Sequence, residues 1–254
     1  MNINLNPIGF VESPIKELAQ MPILGVTSKI IIKEEFKDGL LNIQKNSHLW
    51  IISWFHLSNR DSLILKPKRI DPNSDDFGVF SLRAPVRPNP IALTLVKLIS
   101  VEKNTLTVSG LDAINGTPVL DIKPYSEKDS IFSPETPYIR PADFEERKKL
   151  FKQIAINFNE KDCEDLEAAV EIALYAEEKL GILSNENIEV QVKGSQCFAN
   201  SLQALTRAKI GDIKRFTFEE SKNFIVTWKK EEMCFSLNYD KNTKKIVIFQ
   251  NIND

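Results

Sequence analysis

The pattern of apolar and polar positions changes character near residue 143. Before it, short β-like segments follow one another. Residues 6–13 alternate and stop at Ser13-Pro14, and residues 28–36 are rich in isoleucine. The run Leu49-Trp50-Ile51-Ile52-Ser53-Trp54-Phe55-His56 is β-branched and aromatic, as expected of a buried strand. Residues 91–98 and 105–110 add two more strands around a polar turn at Lys103-Asn104, and 119–123 alternates. Residues 37–44 and 72–76 read as loop or short helix. Short strands at close spacing, without long helical patterns, predict a barrel or sandwich.

Pro124, Pro134, Pro137 and Pro141 exclude a continuous helix or central strand over the next stretch, which reads as an extended linker. Beyond it the period becomes helical. Residues 143–157 and 164–180 qualify; in the second, Leu166, Ala169, Val170, Ala173, Leu174 and Leu180 form a stripe and Gly181 is placed to cap it. A strand at 188–192 and a helix at 196–206 follow. Residues 216–218, 223–228, 233–239 and 245–250 read as a β-meander. The expected fold class is therefore a mainly β, barrel-like N-terminal domain followed by an α+β C-terminal domain. The expected boundaries are 1–126, a proline-rich linker over 127–143, and 144–254.

Composition narrows the function classes. With 42% apolar and 27% charged residues the chain is globular in type, and its net charge of −2 does not advertise a nucleic-acid binder. Neither side of residue 143 is strongly basic, so any phosphate-binding surface has to be a local patch. No uncharged apolar run approaches the ~18 residues a membrane span needs. The N-terminal residues hold neither a basic patch nor an apolar signal core, so a cytoplasmic protein is expected. Cys163, Cys197 and Cys234 are odd in number and widely spaced, which argues against a disulfide framework.

Three segments carry candidate chemistry. The run Arg83-Ala84-Pro85-Val86-Arg87-Pro88-Asn89-Pro90-Ile91 sets two arginines in a stiff frame. It is either a rigid surface turn with solvated guanidinium groups or a pre-positioned carboxylate or phosphate site. In Leu111-Asp112-Ala113-Ile114-Asn115-Gly116-Thr117-Pro118, the Asn-Gly pair signals a turn leading into a strand on which Asp121 and Lys123 share a face. A plain hairpin with a surface ion pair accounts for that spacing equally well. The two histidines, His48 and His56, stand eight apart, nominally on one face of the aromatic strand; without a third ligand nearby they make a poor zinc site.

These blocks, with Pro7-Ile8-Gly9-Phe10-Val11-Glu12-Ser13-Pro14, resemble in order and spacing the TrmO family of tRNA methyltransferases over about residues 6–126. The arginine-proline block and the ending Asp121-Ile122-Lys123-Pro124-Tyr125 are its most specific parts. The resemblance implies a barrel-like domain, a homodimer and S-adenosyl-L-methionine as methyl donor. The implied reaction is methylation of the exocyclic nitrogen of threonylcarbamoyl-adenosine at position 37, in the tRNA anticodon loop. By position it implies cofactor contacts at His56, Leu57, Arg83, Leu93, Asp112, Ala113 and Ile114. Arg87, Asn89 and Lys123 then face the substrate, Asp121 or Tyr125 is the candidate base, and no metal is called for.

The chain departs from the family pattern at Glu12, where a basic residue is usual, and at Met21-Pro22-Ile23-Leu24-Gly25, where an Arg-Gln-Pro-Gly-like segment is usual. Asn115 stands where the family has aspartate. The C-terminal half resembles, more weakly, the E-type domain of formylmethanofuran dehydrogenase through residues 192–206, 214–216 and 224–227. Cys163 and Cys197 are then either buried inert thiols or metal ligands, and Lys209, Lys214 and Arg215 either a solvated basic turn or a phosphate contact. Two competing functions stay open: a non-catalytic S-adenosyl-L-methionine- or metal-binding protein, and a methyltransferase acting on a different substrate.

Overall fold

The computed structural model describes residues 4–251. Eight strands come first: β1 (Gly9–Glu12), β2 (Val26–Ile32), β3 (His48–Trp54), β4 (Ile64–Leu65), β5 (Phe77–Gly78), β6 (Ile91–Glu102), β7 (Thr105–Leu111) and β8 (Pro118–Pro124). Six of them close into a barrel in the order β1-β2-β7-β6-β3-β8, and β4 pairs with β5 alone. The period-2 pattern seen in the sequence is what closes it. Val11, Ile30, Ile32, Leu49, Ile51, Val96, Leu106, Val108 and Val119 point inward and form one apolar core. Each such side chain, fully buried, contributes about 1.5–3 kcal/mol of transfer free energy.

The barrel corrects three expectations. β3 is buried on one face only: Leu49, Ile51 and Ser53 point inward, while Trp50, Ile52 and Trp54 stay half-exposed on the outer face. β3 also ends at Trp54. The chain then turns, with the His56 N–H bonded to the Trp54 carbonyl at 2.8 Å and the Ser58 N–H to that of Phe55 at 3.0 Å. His48 and His56 therefore share no strand face. β2 stops at Ile32, because Glu34–Leu40 winds into a 3₁₀ helix in place of the expected strand continuation.

The second unit, Phe132–Asp254, holds α1 (Phe144–Asn159), α2 (Leu166–Leu180), β9 (Ile188–Gly194), α3 (Gln196–Thr206), β10 (Phe216–Glu220), β11 (Phe224–Lys230), β12 (Met233–Asp240) and β13 (Lys245–Asn251). Its sheet has the order β10-β9-β11-β12-β13. Val190, Val192, Phe216, Phe224, Val226, Trp228 and Leu237 pack with Leu166, Val170, Ala173, Phe198 and Leu202 of the helices in a second core. Gly181 (φ +76°) ends α2 as its sequence suggested.

Two readings fail in this unit. The meander comprises β11, β12 and β13 only; β10 lies parallel to β9 on the sheet's far side. The helix α3 between β9 and β10 makes the connection a crossover, which returns the chain in the same direction. Cys163 and Cys197, whose wide spacing argued against a disulfide, are joined as one with their Cα atoms 6.6 Å apart. Sequence spacing hid this because the starts of α2 and α3 converge. Ser195, which caps α3, donates to Asp165, which precedes α2, at 2.6 Å, and the Lys241 ammonium pairs with the same carboxylate at 2.7 Å.

Within the proline-rich stretch, Tyr138 and Arg140 are held to the buried Glu177 of α2, and the half-buried face of α1 adds Arg147 to the same carboxylate. Among the described residues no helix is long and apolar enough to cross a membrane.

Candidate functional site

A cleft of about 290 Å³ opens where β3, β7 and β1 end and β6 and β8 begin. Its walls come from four segments: Lys16, Glu17 and Leu18 after β1; Phe55, His56, Leu57 and Ser58 after β3; Pro85; and Asp112, Ile114 and Thr117 between β7 and β8.

The β7–β8 turn is fixed from both sides. The Thr94 hydroxyl, inward on β6, donates to the Asp112 carboxylate. The N–H groups of Asn115 and Gly116 bond to the carbonyls of Ile15 and Val11 at 2.8 Å each, and the Asn115 Oδ1 accepts from the Ser13 N–H at 3.2 Å. Asn115 thus does here what a carboxylate at that position would do as an acceptor, without the charge. Gly116 sits at φ +80°, where a side chain is disfavoured. Ala113 is 1% exposed and faces the barrel core, not the cleft.

The loop over residues 83–90 is held by its own arginine. Pro85, Pro88 and Pro90 supply no N–H, so nearby carbonyls lack the usual partners. The Arg87 guanidinium takes three of them, donating to Val79 at 2.9 Å, Ala84 at 3.0 Å, and Leu82. Arg87, expected from its position to face the substrate, is here a frame for the loop. Pro85 can face the cleft because this frame holds it there.

Arg83 points elsewhere. It donates to the Leu93 carbonyl and lies 6.0 Å from the Trp50 ring, on the outer face of the barrel. Strand register gathers the other candidates on that face: Trp50 stands opposite Leu95 and Lys123, and Ile52 opposite Leu93 and Asp121. Tyr125 packs against Trp50 (6.1 Å between centroids) and edge-on to His48 (6.4 Å). The Lys123 ammonium is 2.7 Å from the Asp121 carboxylate, whose other oxygen accepts from the Ile122 N–H at 2.9 Å. Burial, with the Lys97 charge nearby, holds the His48 imidazole below its ordinary 6.5.

The sequence-predicted residues therefore fall into two groups. His56, Leu57, Asp112 and Ile114 meet in the cleft; Arg83, Leu93, Asp121, Lys123 and Tyr125 meet on the outer face. Asn89 is exposed, and its carbonyl accepts from the Ile91 N–H at 2.7 Å. Sequence reasoning missed Lys16, Phe55, Ser58, Thr117 and Thr94. A signal existed for Thr94: it is the polar member of the inward series Ala92, Thr94, Val96.

Besides Asn115, the departures at Glu12 and at residues 21–25 have a place. Glu12 lines a separate groove with Ser13, Thr27 and Lys29, away from the cleft. Met21 is buried, and the Leu18 and Met21 carbonyls accept from Arg69 at 2.7 and 2.5 Å, so an arginine far along the chain holds this segment beside the cleft.

Residues 10–130 match the tRNA-methyltransferase O N-terminal domain. An S-adenosyl-L-methionine-binding protein of Archaeoglobus fulgidus is 41% identical over 126 residues, covering 48% of this chain and 88% of that protein. The chain belongs to the tRNA-methyltransferase O N-terminal domain family. A longer probable S-adenosyl-L-methionine-binding protein of the same organism is 31% identical over 243 residues, covering 91% of this chain and 66% of its own length. That match spans both units. The human tRNA (adenine(37)-N6)-methyltransferase is 38% identical over 141 residues, covering 51% of this chain but 32% of the human protein. The cleft, the arginine-proline loop and the outer-face cluster all lie within the family domain.

Proposed function

We propose that this chain is an S-adenosyl-L-methionine-dependent tRNA methyltransferase acting on the exocyclic nitrogen of threonylcarbamoyl-adenosine at position 37. One observation carries the reading: four segments of the family domain, with the anchored Asp112 turn among them, converge on a single cleft. The human relative's name supports adenosine 37, and the archaeal relatives' names support the donor.

The residues present fit that donor. Phe55, Leu57 and Ile114 give the cleft apolar walls, and Asp112 and Glu17 place carboxylates beside them, suited to a cationic sulfonium ligand. When bound, the donor supplies an already activated methyl group, so the protein's task is alignment of the acceptor nitrogen with it. Thr94 fixes the Asp112 carboxylate, and Arg87 fixes the loop that brings Pro85 to the cleft and Arg83 to the outer face. Arg83 and Lys123 offer cations, and Trp50 and Tyr125 offer ring faces, to a modified adenosine and its carboxylate. Asp121, half-buried and acceptor-only when ionised, is assigned as the proton acceptor for the acylated nitrogen, with Tyr125 beside it.

The active unit is assigned as a homodimer in the cytoplasm. Ile91, Leu93, Leu95 and Ile99 on the outer face of β6 are 37–55% exposed and suit a second protomer. The C-terminal unit is assigned as an accessory module resembling the E-type domain of formylmethanofuran dehydrogenase.

Incubation with donor and tRNA bearing threonylcarbamoyl-adenosine, followed by nucleoside mass spectrometry, tests the reaction. One added methyl on that nucleoside is the expected result; its absence with several such tRNAs overturns it. The archaeal relatives are named for binding alone, which favours a second reading as a donor-binding protein. Calorimetric donor binding without methyl transfer to any tRNA would select that reading.

A further inference from the structure

We propose that the loop joining α3 to β10, together with Phe132, is an RNA-backbone contact of the C-terminal unit. It rests on the reading that the substrate is a tRNA, and it concerns a surface outside the family domain. The Arg207 guanidinium and the Lys209 ammonium lie 5.8 and 5.6 Å from the centre of the same Phe132 ring. Two cations beside one ring repel each other, and among the described residues neither Arg207, Lys209 nor Lys214 has an ion-pair partner. A folded chain keeps such a cluster at a cost unless an anion is brought to it. Burial opposes the charge of Arg207 further, by lowering its pKa.

The frame is pre-organised. Arg207 stands in the left-handed region (φ +54°) at the end of α3, and its carbonyl accepts from Ser133 at 3.3 Å. Arg215 closes the loop by donating to the Asn185 carbonyl at 3.0 Å. Asp212 is the one carboxylate in the loop, and among the described residues it forms no ion pair with Arg207, Lys209, Lys214 or Arg215. Fixed cations beside an aromatic ring match the alternation of phosphate and base along a single RNA strand. The Phe132 ring packs against Phe158 at 5.8 Å and stays half-exposed; an acidic peptide would satisfy the cations and make no use of that ring, so RNA is the better fit.

The test uses the full-length chain and an unmodified tRNA transcript, with fluorescence polarisation across a salt series. Lys209→Glu/Lys214→Glu should weaken binding at least tenfold near ~0.1 M salt. It should also lower the slope of log K against log salt by about 1.5, as expected for two lost phosphate contacts. Phe132→Leu should weaken binding several-fold with the slope unchanged, separating stacking from charge. Arg207→Gln, with its melting temperature checked, repeats the test at the half-buried cation. Unchanged affinity and slope in the charge-reversed variant would overturn the proposal. So would failure of the wild-type chain to bind, or equal displacement of the transcript by polyglutamate and by unlabelled RNA. Methyl transfer is measured in parallel, where the charge-reversed variant should raise KM for tRNA and leave kcat unchanged. If the wild-type chain bound RNA in this way but transferred no methyl, the catalytic reading would fall and this one would stand.

Discussion

The Thr94 hydroxyl donates to the Asp112 carboxylate, tying the inner face of β6 to the turn that lines the cleft. Thr94 is 9% exposed, so removing the hydroxyl leaves the carboxylate without its fixed donor. Thr94→Val should cost about 1 kcal/mol of stability and about tenfold in donor affinity, while Thr94→Ser keeps both. Isothermal titration with S-adenosyl-L-methionine reads the second effect. Equal affinities for all three proteins would show that the turn needs no anchor.

Arg87 spans three carbonyls with one planar fork, a geometry a lysine ammonium cannot reproduce. Arg87→Lys should therefore lower kcat/KM nearly as far as Arg87→Ala, on the order of tenfold or more. Full activity in the lysine variant would mean that the charge, and not the fork, is what matters.

Glu177 is 4% exposed and receives Tyr138, Arg140 and Arg147. Glu177→Ala leaves Arg147, itself buried, with only Glu178 for charge compensation. A loss of about 3 kcal/mol is expected. Faster hydrogen exchange over residues 132–141, with barrel exchange unaltered, is the accompanying signature to measure.

Gly25 sits at φ +65°, and a Cβ there would meet the Leu111 carbonyl carbon at 2.6 Å. Backbone cannot yield as a side chain can, so Gly25→Ala should lower the melting temperature by several degrees, more than Gly39→Ala, where the space is open. Differential scanning calorimetry on the two variants settles the comparison.

His48 binds its proton less readily in the folded chain than in the unfolded one. Its contribution to stability is thus complete above pH 6.5 and is lost as the pH falls from there through the folded value. An imidazole NMR titration should place His48 below 6.5. Lys97→Gln should move it upward by relieving the like charge; an unmoved titration would leave burial as the sole cause.

Much of this was legible in the chain. Alternation set the inward residues of β2, β3, β6 and β7, because a period of 2 has only one way to face a closed core. What escaped were features set by tertiary geometry. The end of β3 at Trp54 depends on the turn through His56, which local composition does not encode. The placement of β10 depends on α3 acting as a crossover, and the Cys163–Cys197 pairing on two helix starts meeting at Asp165 and Ser195. At the candidate site, the motif named Arg83 and Arg87 alike. Only the structure distinguishes an arginine that frames the loop from one that faces outward.

The closed barrel has no first or last strand. Each of its six strands is flanked by a neighbour on both sides, so among the described residues the barrel has no edge strand, although residues 91–96 of β6 pair with β3 and not with β7. Association through its wall rests chiefly on side chains, and a single charged replacement at the exposed Leu93 or Leu95 should weaken it. The C-terminal sheet is different: among the described residues β10 and β13 remain its edges, and growth of that sheet by strand addition, ordered or pathological, would begin there.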